Sequence, residues 1–157
     1  MLVPVELSRI LIREMTDTQF ITLKESDGDR SFPIAIGLPE AQAIERRLRN
    51  TTVPRPQTHD LLIDIVESLN ASISEVCITD IQEKTYFAEI TLNTLEGNIT
   101  LSSRPSDAIA LAIRSNSRIT VDNELFSNNS IILIDENNEE IQEFKEFIDD
   151  ISPDDFS

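Results

Sequence analysis

The stretch Arg104-Pro-Ser-Asp-Ala-Ile-Ala-Leu-Ala-Ile-Arg114-Ser-Asn116 decides how the chain is read. Pro105 suits the first turn of a helix, where its missing N–H is not needed. Ser103 or Ser106 can accept from the unpaired N–H groups there, and Asp107 favours the positive end of the helix dipole. Residues 108–113 are apolar nearly all round, which predicts a helix buried on several sides. Arg104 is the residue that helix chemistry leaves unexplained. It needs either a carboxylate, with Asp107, Asp60 or a residue of a partner chain as candidates, or an anion held jointly by the guanidinium and the helix N–H groups.

Working outward, three strand patterns precede this helix, at 73–81, 86–92 and 98–101, with Gly97 at the second turn. The same order occurs earlier. Residues 5–14 and 20–23 alternate apolar and polar, a turn falls at 26–29, and Phe32, Ile34 and Ile36 make a third strand that stops at Gly37. Leu38-Pro39-Glu40 then opens a helix that runs through Arg49. At an offset of 67, Glu40-Ala-Gln-Ala-Ile44 lies over Asp107-Ala-Ile-Ala-Leu111, Phe20 over Phe87, Leu23 over Ile90 and Ile34 over Leu101. These matches predict a duplicated three-strand-plus-helix unit, about 5–49 and 72–116, with chance matching of alternating strands as the alternative.

Between the units, Leu61, Leu62, Ile65, Val66 and Leu69 recur at helical spacing in a second helix that ends near Asn70. After them, short strands at 119–121 and 131–134 flank an Asn-rich turn. Ile141, Phe144, Phe147 or Ile148, and Ile151 trace one face of an acidic helix that Ser152-Pro153 ends. The expected fold is α+β: a mixed, largely antiparallel sheet from the duplicated unit, with an extra inter-unit helix and a C-terminal helix. One domain spans 1–151, and 152–157 form an acidic tail. One sheet and two half-sheets are both open.

Composition narrows the function. Aromatics are 5% with no Trp, which excludes a stacking platform for bases. Cys77 is the single cysteine, so neither an internal disulfide nor a cysteine-cluster zinc site is possible. It reads as a core residue, and a lone thiol fits a reducing compartment. The N-terminus lacks a signal-peptide pattern and no apolar run reaches the roughly 20 residues of a membrane span. A cytoplasmic protein with no membrane segment is expected. The net charge is −16, of which residues 135–157 carry −9 from ten acids and one lysine. Repulsion from phosphate backbones argues against tight, unassisted nucleic-acid binding. Three glycines leave no P-loop, dinucleotide-binding pattern or nucleophile elbow.

Three segments in order carry a family resemblance: Gly37-Leu-Pro-Glu-Ala-Gln-Ala-Ile44, Arg55-Pro-Gln-Thr-His-Asp-Leu-Leu62 and the Arg104–Arg114 stretch. Together with the ending FKEFIDDISPDDF at 144–156, they resemble the bifunctional nuclease domain family over nearly the whole chain. The resemblance implies a small α+β domain that pairs into homodimers, with cleavage of both DNA and RNA as the activity of some members. It transfers no catalytic residue set.

The residues offer three candidate constellations. His59, the only histidine, and Asp60 open the inter-unit helix; His59 could move protons at a phosphodiester while Arg55 holds the phosphate. Alternatively Thr58 or Asp60 caps that helix and His59 is structural. Asp60 and Asp64, with Glu67 beyond, share a helical face and could hold Mg2+ or Mn2+, with Asp107 or Glu40 assisting; a solvated acidic face is the alternative. Arg46, Arg47, Arg49 and Arg55 form a basic edge that could grip a nucleic-acid backbone or pair with the acidic C-terminal helix. The expected functional cluster is therefore catalytic His59, Asp60 and Asp107 with phosphate-binding Arg55, Arg104, Arg46, Arg47 and Arg49. Two functions stay open: a nuclease of low sequence selectivity acting on DNA and RNA, and a non-catalytic dimeric protein-interaction or regulatory module. Convergence of Arg55, His59, Asp60, Arg104 and Asp107 on one open cleft favours the first. Burial in paired salt bridges favours the second.

Overall fold

The computed structural model describes residues 1–12, 18–129 and 131–132. The first three strands are β1 (Leu2–Leu11), β2 (Thr18–Glu25) and β3 (Arg30–Gly37), followed by helices α1 (Leu38–Leu48) and α2 (Thr58–Ser68). Strands β4 (Ser72–Gln82), β5 (Thr85–Thr94) and β6 (Gly97–Ser103) lead into α3 (Pro105–Ser115), then β7 (Arg118–Asp122), α4 (Asn123–Asn129) and β8 (Ile131–Ile132). The fold is α+β, and the described strands form one sheet in the order β6-β5-β4-β7-β1-β2-β3-β8. Every neighbouring pair is antiparallel except β4 with β7. The two meanders are thus joined edge to edge through β7.

That sheet is strongly curled. β3 and β5 stand five strand steps apart, about 24 Å on a flat sheet at ~4.8 Å per step. Yet the rings of Phe32 on β3 and Tyr86 on β5 meet edge to face with centroids 5.3 Å apart. Phe126 of α4 stacks on Phe32 at 5.9 Å, and the Arg30 guanidinium lies 4.8 Å from its ring centroid. Curling closes the core and leaves a seam where β3 hands over to α1 and β6 to α3. At the helix layer α1 and α2 both pack on α3, which is buried at Ala108, Ile109, Ala110, Leu111 and Ala112 as expected.

Three expectations change. The Asn-rich turn is the helix α4: Asp122 Oδ1 accepts from the N–H groups of Glu124 and Leu125, and Leu125 and Phe126 are buried. Cap and core contact together outweigh the turn preference of the asparagines. Cys77 is half-buried on β4, where burial pushes its thiol up and away from nucleophilic use. The duplication is not confirmed. Both units share a three-strand meander and a following helix, but an offset of 67 turns the pair Ile21–Ile34 into Ala88–Leu101. The ladder instead pairs Ile90 with Leu101 and Ala88 with Ser103. The expected C-terminal helix and residues 133–134 of the expected last strand lie outside the described residues.

Candidate functional site

The three motif segments each start a helix, and the starts are tied together. At α3, Arg104 is the N-cap, with extended backbone, and Pro105 follows it. Its guanidinium forks onto Asp107, Nε to Oδ2 at 2.9 Å and Nη2 to Oδ1 at 3.2 Å. Nη1 reaches across the seam to Glu40 Oε1 at 3.1 Å. Glu40 folds back over the start of α1, where a Cβ on Gly37 would stand 2.4 Å from its Oε2. From α2, His59 Nε2 meets Asp107 Oδ1 at 3.0 Å, and His59 is buried. Glu40, Arg104, Asp107 and His59 thus form one continuous chain linking α1, α3 and α2. Burial pushes the Asp107 carboxyl up, but the hydrogen bonds from Arg104 and His59 outweigh it and hold the group below its ordinary value.

A second clamp joins the same helices one helix length away. The Arg114 side chain, 6% exposed, donates Nε to Asp60 Oδ1 at 2.7 Å, Nη2 to the Ala43 carbonyl at 2.9 Å and Nη1 to the Ala110 carbonyl at 2.9 Å. Asp60 Oδ2 accepts the Gln57 N–H at 3.0 Å, so Asp60 caps α2. Burial raises the Asp60 carboxyl as well, and Arg114 with the Gln57 N–H reverses that to a net lowering.

These two carboxylates set a pH dependence. Their folded values lie below the ordinary value of about 3.9, so the stability they contribute is fully present above that value and is lost as pH falls through the folded values. Urea unfolding should show a lower stability at pH 3 than at pH 6, with the loss from the pair reduced by solvent screening at partly exposed groups. Asp107→Asn should flatten the slope. An unchanged slope would remove Asp107 from the account.

The expected five-residue cluster does not converge on one cleft. Arg55, Asp60, Asp64 and Arg114 line an open groove of about 490 Å³, together with Arg46, Arg47 and the chain between Asn50 and Pro56. His59 and Asp107 do not line it. Arg104 instead borders a smaller apolar pocket of about 210 Å³ at the seam, beside Tyr86 and Ile34. Arg49 pairs with Glu45 at 2.7 Å and lies off the groove.

Among the described residues no carboxylate lies within ion-pairing distance of Arg46, Arg47 or Arg55. Asp60 is matched by Arg114, which leaves Asp64 as the one free carboxylate on the groove wall. Three arginines therefore face a single uncommitted acid. Both Asp60 oxygens are engaged, and no group of three metal-ligating side chains occurs among the described residues. Sequence reasoning missed Arg114. Its signal was a lone arginine closing an otherwise apolar, buried helix.

Comparisons with known proteins identify the family. A family model described as the bifunctional nuclease domain matches residues 21–133, which contain all three motif segments. The chain belongs to the bifunctional nuclease domain family. An uncharacterised protein of Mycobacterium tuberculosis is 37% identical over 156 residues, covering 94% of this chain and 93% of its own. Bifunctional nuclease 1 of Oryza sativa subsp. japonica is 28% identical over 127 residues, 78% of this chain. Bifunctional nuclease 2 of Arabidopsis thaliana is 27% identical over 119 residues, 73% of this chain. The chain matches only 38% and 36% of the length of those plant proteins. No helix among the described residues is long and apolar enough to cross a membrane.

Proposed function

We propose that the protein hydrolyses phosphodiester bonds of DNA and RNA with little sequence selectivity, holding the backbone in the groove between the end of α1 and the start of α2. The observation that carries this reading is the trio Arg46, Arg47 and Arg55, none within ion-pairing distance of a carboxylate among the described residues, on one groove of a chain whose net charge is −16. Family membership and the names of the plant relatives supply the reaction class. The groove supplies a surface that binds phosphates and reads no base edges, which fits low selectivity. Asp64, which has no ion-pair partner among the described residues, takes a proton from the attacking water as its oxygen bonds to phosphorus, and the leaving oxygen departs and is protonated from solvent. His59, Asp107, Arg104 and Asp60 serve by locking α2 against α3, which fixes where Asp64 and Arg55 stand. A cytoplasmic setting, in keeping with the lone thiol of Cys77, is part of this proposal.

The test is cleavage of labelled single- and double-stranded DNA and RNA by the purified chain, with Mg2+, with Mn2+ and with EDTA, beside Asp64→Asn. Cleavage that is lost in Asp64→Asn while the fold is retained supports the reading. Cleavage that is equal in wild type and variant, or none in any condition, sinks it.

Two observations favour a second reading, a dimeric interaction module: His59, Asp60, Arg104 and Asp107 are committed to ion pairs rather than to a common cleft, and an apolar stripe lies exposed. α2 buries only His59 and exposes Leu61 (51%), Leu62 (40%), Ile65 (48%) and, just past its end, Leu69 (72%) along one stripe. Such a stripe fits a second copy of the chain, and the motif carboxylates and arginines would then serve to build the three-helix layer. Light scattering should report a dimer for the wild type and a monomer for Ile65→Glu. A monomeric wild type removes the dimer from both readings.

A further inference from the structure

We propose that the basic groove is a docking surface for the chain's own acidic C-terminal segment, residues 135–157. Arg46, Arg47 and Arg55 lack ionic partners among the described residues, while the groove wall also carries Val53, Pro54 and Pro56. The segment has the complementary make-up: ten acids against one lysine, interleaved with Ile141, Phe144, Phe147, Ile148 and Ile151. Its carboxylates match the guanidiniums, and its apolar residues match the proline and valine rim.

Reach is sufficient. The chain enters the segment from β8, which pairs with Arg30 and Ser31 at the start of β3. α1 begins beyond the other end of that strand and carries Arg46 and Arg47 in its last turn. The 18 residues from 133 to 150 span about 27 Å at the helical rise of ~1.5 Å per residue and about 60 Å extended at ~3.3 Å per residue. The eight-stranded sheet would be about 34 Å across at ~4.8 Å per step if flat, and its curl shortens that distance. Because segment and groove belong to one molecule, docking competes with any polyanion from solution at a high effective concentration. The competition, unlike the docking, rests on the proposed phosphate-binding role of the groove.

The test uses the full-length chain and a full-length variant with Glu139→Gln, Glu140→Gln, Glu143→Gln, Glu146→Gln, Asp149→Asn and Asp150→Asn. In 15N-labelled protein, the Nε–Hε resonances of Arg46, Arg47 and Arg55 should move in the variant, while those of Arg30 and Arg104 stay. Unmoved groove resonances overturn the docking. Differences that vanish on dilution assign the groove to a neighbour's segment and overturn it equally. Affinity for a fluorescein-labelled oligothymidylate should rise about tenfold in the variant at low salt. Moved resonances with unchanged affinity uphold the docking and refute the phosphate-binding role.

Discussion

Replacing Arg114 with methionine is expected to lower the unfolding free energy by about 2–4 kcal/mol. The side chain is 6% exposed and donates to all three helices of the layer: Asp60 on α2, the Ala43 carbonyl on α1 and the Ala110 carbonyl on α3. Methionine keeps the apolar stem, so the loss reports the guanidinium rather than a cavity. It leaves the Ala43 carbonyl without that donor and Asp60 with only the Gln57 N–H. Arg114→Lys should fall between, because one ammonium cannot span three acceptors set by a planar fork. Arg49→Met is the control: its partner Glu45 is half-buried but the arginine itself is 74% exposed, so the change should be within about 0.5 kcal/mol. Urea unfolding of the three variants measures this ranking. Equal losses at Arg114 and Arg49 would falsify the clamp.

What the sequence disclosed follows the range of the forces involved. Leu38-Pro39-Glu40 and Pro105-Ser106-Asp107 announced helix starts because capping and dipole preferences act within one turn, and α1 and α3 begin there. The patterns of β4 and β5 were legible for the same reason, since alternation registers a sheet with one buried face, whereas β2 and β3 are buried at consecutive residues. The strand order was not. β7 sits between β1 and β4 through an antiparallel and a parallel ladder, and nothing local to residues 118–122 names either neighbour.

The site divides the same way. Asp107 was nameable as a partner of Arg104 because it is three residues away on the same helix. Glu40 is 64 residues away and arrives only because the sheet curls until the starts of α1 and α3 meet. The shared helical face of Asp60 and Asp64 did not announce Arg114, which takes one Asp60 oxygen from a different helix. The helical spacing of Leu61, Leu62, Ile65 and Leu69 predicted a helix but not its surroundings. An apolar stripe reads alike whether it faces a core or lies on the surface, and here it lies on the surface.

The double variant Arg46→Glu, Arg55→Glu is expected to weaken binding of a single-stranded oligonucleotide by about 100-fold or more at low salt. Each arginine that neutralises a phosphate of a single strand contributes roughly −0.7 to the slope of log affinity against log salt concentration. Removing two should therefore flatten that slope by about 1.4. Reversal goes further than removal, because two new carboxylates would stand beside Asp64 in a chain already at −16. Arg55 has no ion-pair partner among the described residues to lose, while Arg46 helps hold the Asp60 carboxyl down, so urea unfolding of the double variant checks that the fold is retained. Arg49→Glu makes the same change in net charge per site but lies off the groove and beside Glu45, so it should leave the slope near that of wild type. Global repulsion cannot distinguish Arg49 from its neighbours; local contact with phosphate can. If all three substitutions weaken binding by the same factor and leave the slope alone, the chain's overall charge governs the interaction and the groove does not hold the backbone.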